Sequence, residues 1–228
     1  MSKTAERFTE IRARMAEAAL RGGHDPAGVD LVAVAKTATA HSLQEAWDAG
    51  QRIFGHNRVE ALEAHRLILP EAHWHLLGPL QGRKVRRGIV ASACYQALGE
   101  SQTLQRCASA VAETNSTPYP VLLQINLNPE DGRYGCRLAQ LDALVTEVNA
   151  SEQLHFSGLM ALALADAPEA KLRADFSTLF EHFQRLQKEG QLDPQAYLSM
   201  GMSQDFEIAI EEGANLVRVG RALFPPAP

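Results

Sequence analysis

The chain has 228 residues, of which 46% are hydrophobic and 21% charged, and its 22 basic and 27 acidic residues give a formal net charge of −5. This composition is typical of a folded globular protein of one domain or two small ones, and it excludes disorder as the main state. The acidic balance argues against a nucleic-acid binder or a protein that binds anionic membranes, because such proteins carry a basic surface.

The first predicted element is an amphipathic helix that ends at Gly22-Gly23. Its apolar residues recur at helical spacing and share one face: Phe8, Ile11, Met15 and Ala18. The N-terminal segment is charged and lacks the apolar run of a signal peptide. We also find no run of about 18 uninterrupted apolar residues, the length that a membrane span needs.

Eight strand-like apolar runs follow this helix, with helical patterns between them. The runs cover residues 31–36, 52–57, 73–80, 91–98, 120–127, 155–162, 196–202 and 216–222. Several are nearly continuous in apolar residues, as expected of parallel strands that are buried on both faces.

The helical segments are predicted at residues 42–49, 103–113, 138–148 and 204–212, the last closed by Gly213. Ser42 and Glu45 form a predicted capping box at the start of the first. The clearest helical stripe consists of Leu172, Phe176, Phe180, Phe183 and Leu186.

This alternation predicts an α/β protein with a (β/α)8 TIM barrel fold. We expect a single domain over residues 1–228, with residues 1–23 as an extra N-terminal helix and residues 31–224 as the barrel. The alternative is a doubly wound open sheet, which normally has a glycine-rich turn after its first strand. The sequence contains no such turn.

Three cysteines, Cys94, Cys107 and Cys136, are widely spaced and form no CxxC pair. They predict neither a disulfide framework nor a zinc site, and they suit a reducing compartment. We therefore expect a cytoplasmic protein.

Lys36 is the first candidate for chemistry, because it ends the first buried strand, and active sites of barrels lie at the carboxyl ends of the strands. Burial would favour the neutral amine, which can form a Schiff base with an aldehyde. The alternative is a lysine at the rim whose charged end reaches water.

Two loops after the seventh and eighth strands, SMGMS (199–203) and RVGRA (218–222), form the second candidate. Loops at these positions of a barrel often bind phosphate through backbone N–H groups. Ser203 is expected to cap the helix at 204–212 and to meet the phosphate, while Gly201 and Gly220 allow close approach of the backbone. Ordinary turns are the alternative.

Weaker signals lie at residues 55–57 and 78–81, which end the second and third strands. His73 and His75 have a spacing that could bind a metal, but no third ligand is evident, and we predict no metal site.

These motifs also carry a resemblance. The segments LVAVAKT, FGHN, HWHLLGPLQ, GLMAL and LSMGMSQDFEIAIEEGANLVRVGRALF resemble those of the pyridoxal-phosphate homeostasis protein family. Its members are single-domain relatives of the alanine racemase N-terminal barrel. The similarity covers residues 31–224.

The resemblance implies that Lys36 carries pyridoxal 5′-phosphate as a Schiff base. It also implies a phosphate site at Ser199 or Ser203 and at the backbone near Gly201, Gly220 and Arg221, with Arg218 at the pyridine nitrogen and Asn57 and Met200 lining the pocket. An arginine there disfavours ring protonation, so the cofactor is a poorer electron sink than one that faces a carboxylate.

The resemblance therefore implies a cofactor carrier in vitamin B6 homeostasis without robust catalysis, monomeric and passing pyridoxal phosphate to apo-enzymes. Because the sequence ends four residues after Phe224, we expect no second domain to supply an opposite-face acid or base. The main alternative is a racemase-like enzyme with His56 or Tyr134 as base, and a lysine-dependent aldolase is a third.

The chain departs from the family pattern at several positions. His56 replaces the glutamate of an FGEN motif, Ala38 replaces a second lysine, Arg133 stands near a position usually held by lysine or serine, and Pro225 replaces a glycine. We therefore expect one covalent cofactor, at Lys36, and no second adduct near the rim, for example at Lys84.

Overall fold

The computed structural model describes residues 2–114 and 118–225 of the chain. Eight parallel strands form a closed barrel in which each strand pairs with its neighbours in chain order and β8 closes against β1. The strands are β1 (Asp30–Val34), β2 (Ile53–His56), β3 (His73–Leu76), β4 (Cys94–Leu98), β5 (Tyr119–Ile125), β6 (Leu154–Ala161), β7 (Tyr197–Ser199) and β8 (Leu216–Val219). The predicted (β/α)8 barrel is confirmed.

Helices surround the barrel. They are α1 (Lys3–Arg21), α2 (Ala40–Asp48), α3 (Val59–Ile68), α4 (Lys84–Ala91), α5 (Ser101–Ala112), α6 (Leu141–Asn149), α7 (Glu169–Lys188) and α8 (Phe206–Glu211). The predicted face of α1 is confirmed, because Phe8, Ile11, Met15 and Ala18 are all buried. This extra helix packs against α8 and α2. Within the described residues, none of the helices has the length and apolar character required to cross a membrane.

Several predicted boundaries differ from the structure. The Ser42–Glu45 capping box is wrong, since α2 begins after Thr39, whose side chain and that of Ser42 cap each other's backbone. The helix predicted from residue 138 begins with a separate 3-10 turn, Leu138–Gln140. Helices α3 and α4 are not among the helices predicted from the sequence.

Two apolar clusters follow from strand alternation. The larger lies mainly between the strands and the helices. The smaller comprises Val32, Val34 and Leu216, with Ile53, Leu77 and Tyr197 packed against them. Val32 and Val34 are two residues apart on β1 and share one face of the strand, as do Leu216 and Arg218 on β8. The same strand faces that carry this inner cluster therefore lead into the polar residues described below.

Gly158 fixes a close approach between β6 and β7. Its φ is +144°, and a Cβ there would lie 1.9 Å from the Tyr197 carbonyl oxygen. We predict that Gly158→Ala costs about 3 kcal/mol or more of unfolding free energy, because it combines strain with a backbone clash.

The matched control is Gly50→Ala, at φ +85° with nothing within 4 Å of the added Cβ. This variant should lose only about 1 kcal/mol in urea unfolding. Equal losses in the two variants would contradict the assigned clash.

Candidate binding site at the carboxyl ends of the strands

Lys36 lies at the mouth of the barrel. The end of β1 is tied to β2 by the Ala35 N–H, which donates to the Gly55 carbonyl at 3.0 Å. Lys36 continues the inward alternation of Val32 and Val34, two residues past the end of the strand. The position at a strand end is confirmed, but the side chain is exposed. The expectation of a buried lysine is therefore wrong, because β1 stops at Val34 and leaves Lys36 in the following turn.

A chain of buried hydrogen bonds crosses the barrel interior below this mouth. Arg218 on β8 donates through Nη1 to the Ser199 hydroxyl on β7 at 2.6 Å. Ser199 donates to Gln96 Oε1 on β4 at 2.7 Å. Gln96 Nε2 lies 2.7 Å from His75 Nδ1 on β3. Arg218 also donates through Nη2 to the Ala161 carbonyl of β6 at 2.8 Å.

The guanidinium sets the direction of this whole chain, because arginine has donors and no acceptor. Ser199 must accept from Arg218 and can then donate only to the oxygen of Gln96. The Gln96 amide N–H in turn donates to His75, so His75 Nδ1 is an acceptor and its proton is on Nε2. All four side chains are at most 5% exposed.

Burial lowers the pKa at both ends of this chain, but the two ends are left in different charge states. It lowers the pKa of His75 to about 4, with a smaller contribution from the charge of His73, so His75 is neutral near pH 7. Burial also lowers the pKa of Arg218 to about 10, against the opposing effect of Asp205, and the guanidinium stays charged near pH 7. Arg218 is therefore a fixed cation in the barrel interior.

The loop after β7 is a closed turn beside the end of β8. Gly201 has φ +87°, and a Cβ there would lie 2.6 Å from Ala209 Cβ. Its carbonyl accepts from the Arg218 N–H at 3.1 Å. Asp205 Oδ1 accepts from the Met202 N–H at 2.5 Å and closes the turn. These contacts hold Gly201 in a left-handed backbone conformation that glycine adopts far more easily than other residues.

Ser203 faces the loop after β8, where the Gly220 N–H approaches its hydroxyl at 3.4 Å. The prediction that Ser203 caps the following helix is wrong, because α8 begins at Phe206 with Asp205 as the N-cap residue. A long contact of this kind leaves both groups available to a small anion between the two loops. Arg221 follows Gly220 and is exposed.

The remaining predicted residues are distributed around this mouth. Asn57 is exposed just after β2, whereas Met200 is fully buried in the larger apolar cluster. The Thr37 hydroxyl donates to the Phe224 carbonyl at 2.5 Å, which ties the turn after Lys36 to the end of the chain.

The alternative acid or base residues lie away from the inner chain. His56 is 2% exposed, and its Nε2 lies 2.9 Å from His65 Nδ1 of α3. The Tyr134 hydroxyl accepts from the Gly99 N–H at 3.2 Å. Arg133 donates to the Ala163 carbonyl at 2.6 Å.

Sequence reasoning missed Gln96, Asp205 and the role of His75. Gln96 lies in the predicted strand 91–98, and a glutamine inside an apolar run is a signal of a polar interior. His75 was considered only as a metal ligand. Over residues 2–114 and 118–225, no group of three His, Cys, Asp or Glu side chains is arranged to hold a metal ion.

Comparison with known proteins identifies relatives that match nearly the whole chain. Residues 9–228 match the family model for the alanine racemase N-terminal domain. The pyridoxal phosphate homeostasis protein of Pseudomonas aeruginosa is 39% identical over 227 residues, which cover 98% of this chain and 96% of that protein. The Escherichia coli K12 protein of the same name is 34% identical over 238 residues, which cover 98% of this chain and 97% of that protein.

Solved structures agree with this placement. PipY of Synechococcus elongatus with PLP bound has a TM-score of 0.83 and 32% identity, and the match covers 97% of this chain and all (100%) of PipY. Alanine racemase of Streptomyces coelicolor shares the fold, with a TM-score of 0.75 and 19% identity, but the match covers only 58% of that enzyme against 95% of this chain.

The buried histidines make stability depend on pH. His56 and His75 both have a pKa of about 4 in the folded protein, below the ordinary value of 6.5. The unfolded chain therefore binds more protons, and stability falls as pH drops from about 6.5 to 4, by up to about 3 kcal/mol for each histidine.

Chemical denaturation at several pH values checks this prediction. His75→Phe should remove about half of the loss, whereas the exposed His155→Gln should leave the profile unchanged. A parent protein as stable at pH 4.5 as at pH 6.5 would contradict the account.

Proposed function

Because the chain belongs to the pyridoxal phosphate homeostasis protein family, we propose that it binds pyridoxal 5′-phosphate at the barrel mouth and holds it covalently through Lys36 for intracellular vitamin B6 homeostasis. The observation that carries this proposal is the placement of Lys36 above a barrel interior that holds the fixed cation of Arg218. The bound group supplies an aldehyde that condenses with an amine as a Schiff base. The protein supplies the amine, the cation and the phosphate loops.

The residues at the mouth fit the three functional parts of this cofactor. The Lys36 amine suits the aldehyde, and the Ser203 hydroxyl with the Gly220 N–H suits the phosphate, with Arg221 as an exposed cation nearby. Gly201 lets the loop pack tightly on α8, since an added Cβ would lie 2.6 Å from Ala209 Cβ. Asn57, just after β2, is exposed beside the end of β1 that leads to Lys36.

The structure favours Ser203 over Ser199 as the phosphate ligand. The Ser199 hydroxyl accepts from Arg218 and donates to Gln96, so its bonding capacity is used in the interior. We assign Ser199 to holding Arg218 in place. Met200, which is fully buried, contributes to packing beneath the loop.

Arg218 explains why we propose a carrier rather than an enzyme. Its guanidinium cannot accept a proton, and a fixed cation beside the pyridine nitrogen disfavours protonation of the ring. An unprotonated ring withdraws electrons weakly, so carbanion chemistry at a bound amino acid is slow. The cofactor is then retained and not used.

Neither candidate base, His56 or Tyr134, supports the racemase-like alternative. His56 is buried against Trp74 and paired with His65. Burial raises the pKa of the Tyr134 hydroxyl, which also accepts a hydrogen bond at the end of β4. Neither group belongs to the interior chain that ends at Arg218.

We further propose a cytoplasmic monomer that passes its single cofactor to apo-enzymes. The free cysteines Cys94, Cys107 and Cys136 are all buried, which suits a reducing compartment. Lys84 lies on α4 in an ion pair with Glu60 at 3.0 Å, which supports the expectation that it is not a second covalent site.

Lys36→Ala should abolish covalent attachment and leave the fold intact, because the side chain is exposed. Borohydride reduction of the loaded parent, followed by peptide mapping, should place one adduct on Lys36. The exposed Lys188→Ala is the control. A stoichiometric adduct in Lys36→Ala, at Lys84 for example, would overturn the assignment.

Ser203→Ala should weaken pyridoxal phosphate binding by about ten- to a hundredfold, since it removes one hydrogen bond to a charged group worth about 1.5–3 kcal/mol. Binding of pyridoxal, which lacks the phosphate, should change little. Ser109→Ala is the control, because Ser109 bonds only within its own helix, to the Gln105 carbonyl. Unchanged titration curves would limit Ser203 to a turn residue.

A further inference from the structure

The loop after β8, residues 220–224, lies against the strand end that leads to Lys36. All four residues of β8 pair with β1. Immediately beyond β8, a Cβ on Gly220 would lie 3.2 Å from the Val34 carbonyl oxygen, so the two backbones are in close contact there. The loop that presents the Gly220 N–H is therefore packed on the strand that presents Lys36.

A side chain joins the same two segments a second time. Lys36 and Thr37 form the turn that follows β1, and the Thr37 hydroxyl donates to the Phe224 carbonyl at 2.5 Å. The other end of this turn is fixed by the Ala35 N–H, which donates to the Gly55 carbonyl at 3.0 Å. Lys36 thus lies in a turn whose backbone is held on one side by β2 and on the other by the loop after β8.

Phe224 is fixed in place by its own contacts. Its N–H donates to the Gly220 carbonyl at 2.8 Å, which closes the loop into a turn. Its side chain is 2% exposed and packs edge-on against the fully buried Phe8 of α1, with ring centroids 5.9 Å apart and an interplanar angle of 68°. The extra N-terminal helix therefore holds the end of the loop that accepts the Thr37 hydrogen bond.

These contacts connect the two places at which the proposed cofactor is held. From Gly220 the connection runs along the loop to Phe224 and through one hydrogen bond to Thr37, the neighbour of Lys36. A ligand with an aldehyde at one end and a phosphate at the other gains from both places only if their separation suits it. Binding at one place then raises the effective concentration at the other, and a loose connection loses that gain.

We propose that Thr37 is a positioning residue that sets the distance between the Lys36 amine and the loop after β8, so that covalent attachment favours a phosphorylated aldehyde. This inference rests on the proposed function, because it requires Lys36 to carry the cofactor. In the condensation, the Lys36 ammonium releases one proton to solvent. The amine then gives its two remaining hydrogens to the aldehyde oxygen, a C=N bond forms, and one water leaves. Thr37 acts only through its bond to Phe224.

A purely structural role for Thr37 leads to a different result. Thr37 is exposed, so Thr37→Val removes the hydroxyl, keeps the shape of the side chain and leaves the packing of the barrel core unchanged. A hydroxyl that only stabilised the fold would affect the binding of all ligands alike. A hydroxyl that positions Lys36 relative to the loop affects only ligands that reach both.

The test measures the apparent dissociation constant of the Schiff base, from its absorbance, for pyridoxal phosphate and for pyridoxal. In Thr37→Val the affinity for pyridoxal phosphate should fall about three- to tenfold, as expected for the loss of one hydrogen bond, while that for pyridoxal should stay within about twofold. Thr37→Ser keeps the hydroxyl and should restore the preference of the parent. The internal hemiacetal of pyridoxal forms equally in every sample and cancels between variants.

Thr146→Val is the matched control, because the exposed Thr146 hydroxyl bonds only within its own helix, to the Asp142 carbonyl at 2.9 Å. Inorganic phosphate is the second probe. Its phosphorus NMR line should broaden equally with the parent and with Thr37→Val, both without cofactor, because the loop itself is unchanged. If inorganic phosphate and pyridoxal phosphate are weakened alike, the substitution has damaged the loop, and the positioning role is overturned.

The outcomes separate the two proposals. If Lys36 of the parent carries the cofactor but Thr37→Val keeps the preference for pyridoxal phosphate over pyridoxal, the positioning role is wrong and the carrier function stands. The same conclusion follows if Thr37→Ser behaves like Thr37→Val, or if Thr37→Val only lowers the melting temperature. If no Schiff base forms on Lys36 of the parent, the proposed function is wrong.

Discussion

The guanidinium of Arg218, buried inside the barrel, is the group on which the rest of the site depends. A buried cation needs hydrogen-bond acceptors, and Arg218 finds them in Ser199 and the Ala161 carbonyl. Since arginine only donates, the bond to Ser199 fixes the direction of every bond as far as His75. One charge thus decides the tautomer of a histidine on the other side of the barrel.

The same strand ends serve both the interior and the mouth. Ser199 ends β7 and holds Arg218, while the next residues form the turn that presents Ser203. Asp205 closes this turn and lies close enough to raise the pKa of Arg218 against the effect of burial. The cation and the loop proposed for phosphate are therefore parts of one structure.

The sequence predicted the barrel and the strand ends well, because buried parallel strands leave continuous apolar runs and the active end of a barrel is fixed by topology. The sequence places Lys36 at the correct end of β1 but predicts that it is buried. Lys36 is exposed because β1 ends at Val34, and where β1 ends depends on its pairing with β2. The interior chain was not predicted. Its members lie on four strands and become neighbours only when the barrel closes, and the His56–His65 pair likewise requires α3 to pack on β2.

We propose that Arg218 keeps the ring of a bound cofactor unprotonated, so that the protein carries pyridoxal phosphate without using it. The most direct test is the 15N chemical shift of the pyridine nitrogen in protein loaded with 15N-labelled pyridoxal phosphate. We expect the shift of an unprotonated pyridine nitrogen at neutral pH. The shift of a pyridinium would contradict it, because a ring that has taken up a proton cannot be facing the fixed cation of Arg218.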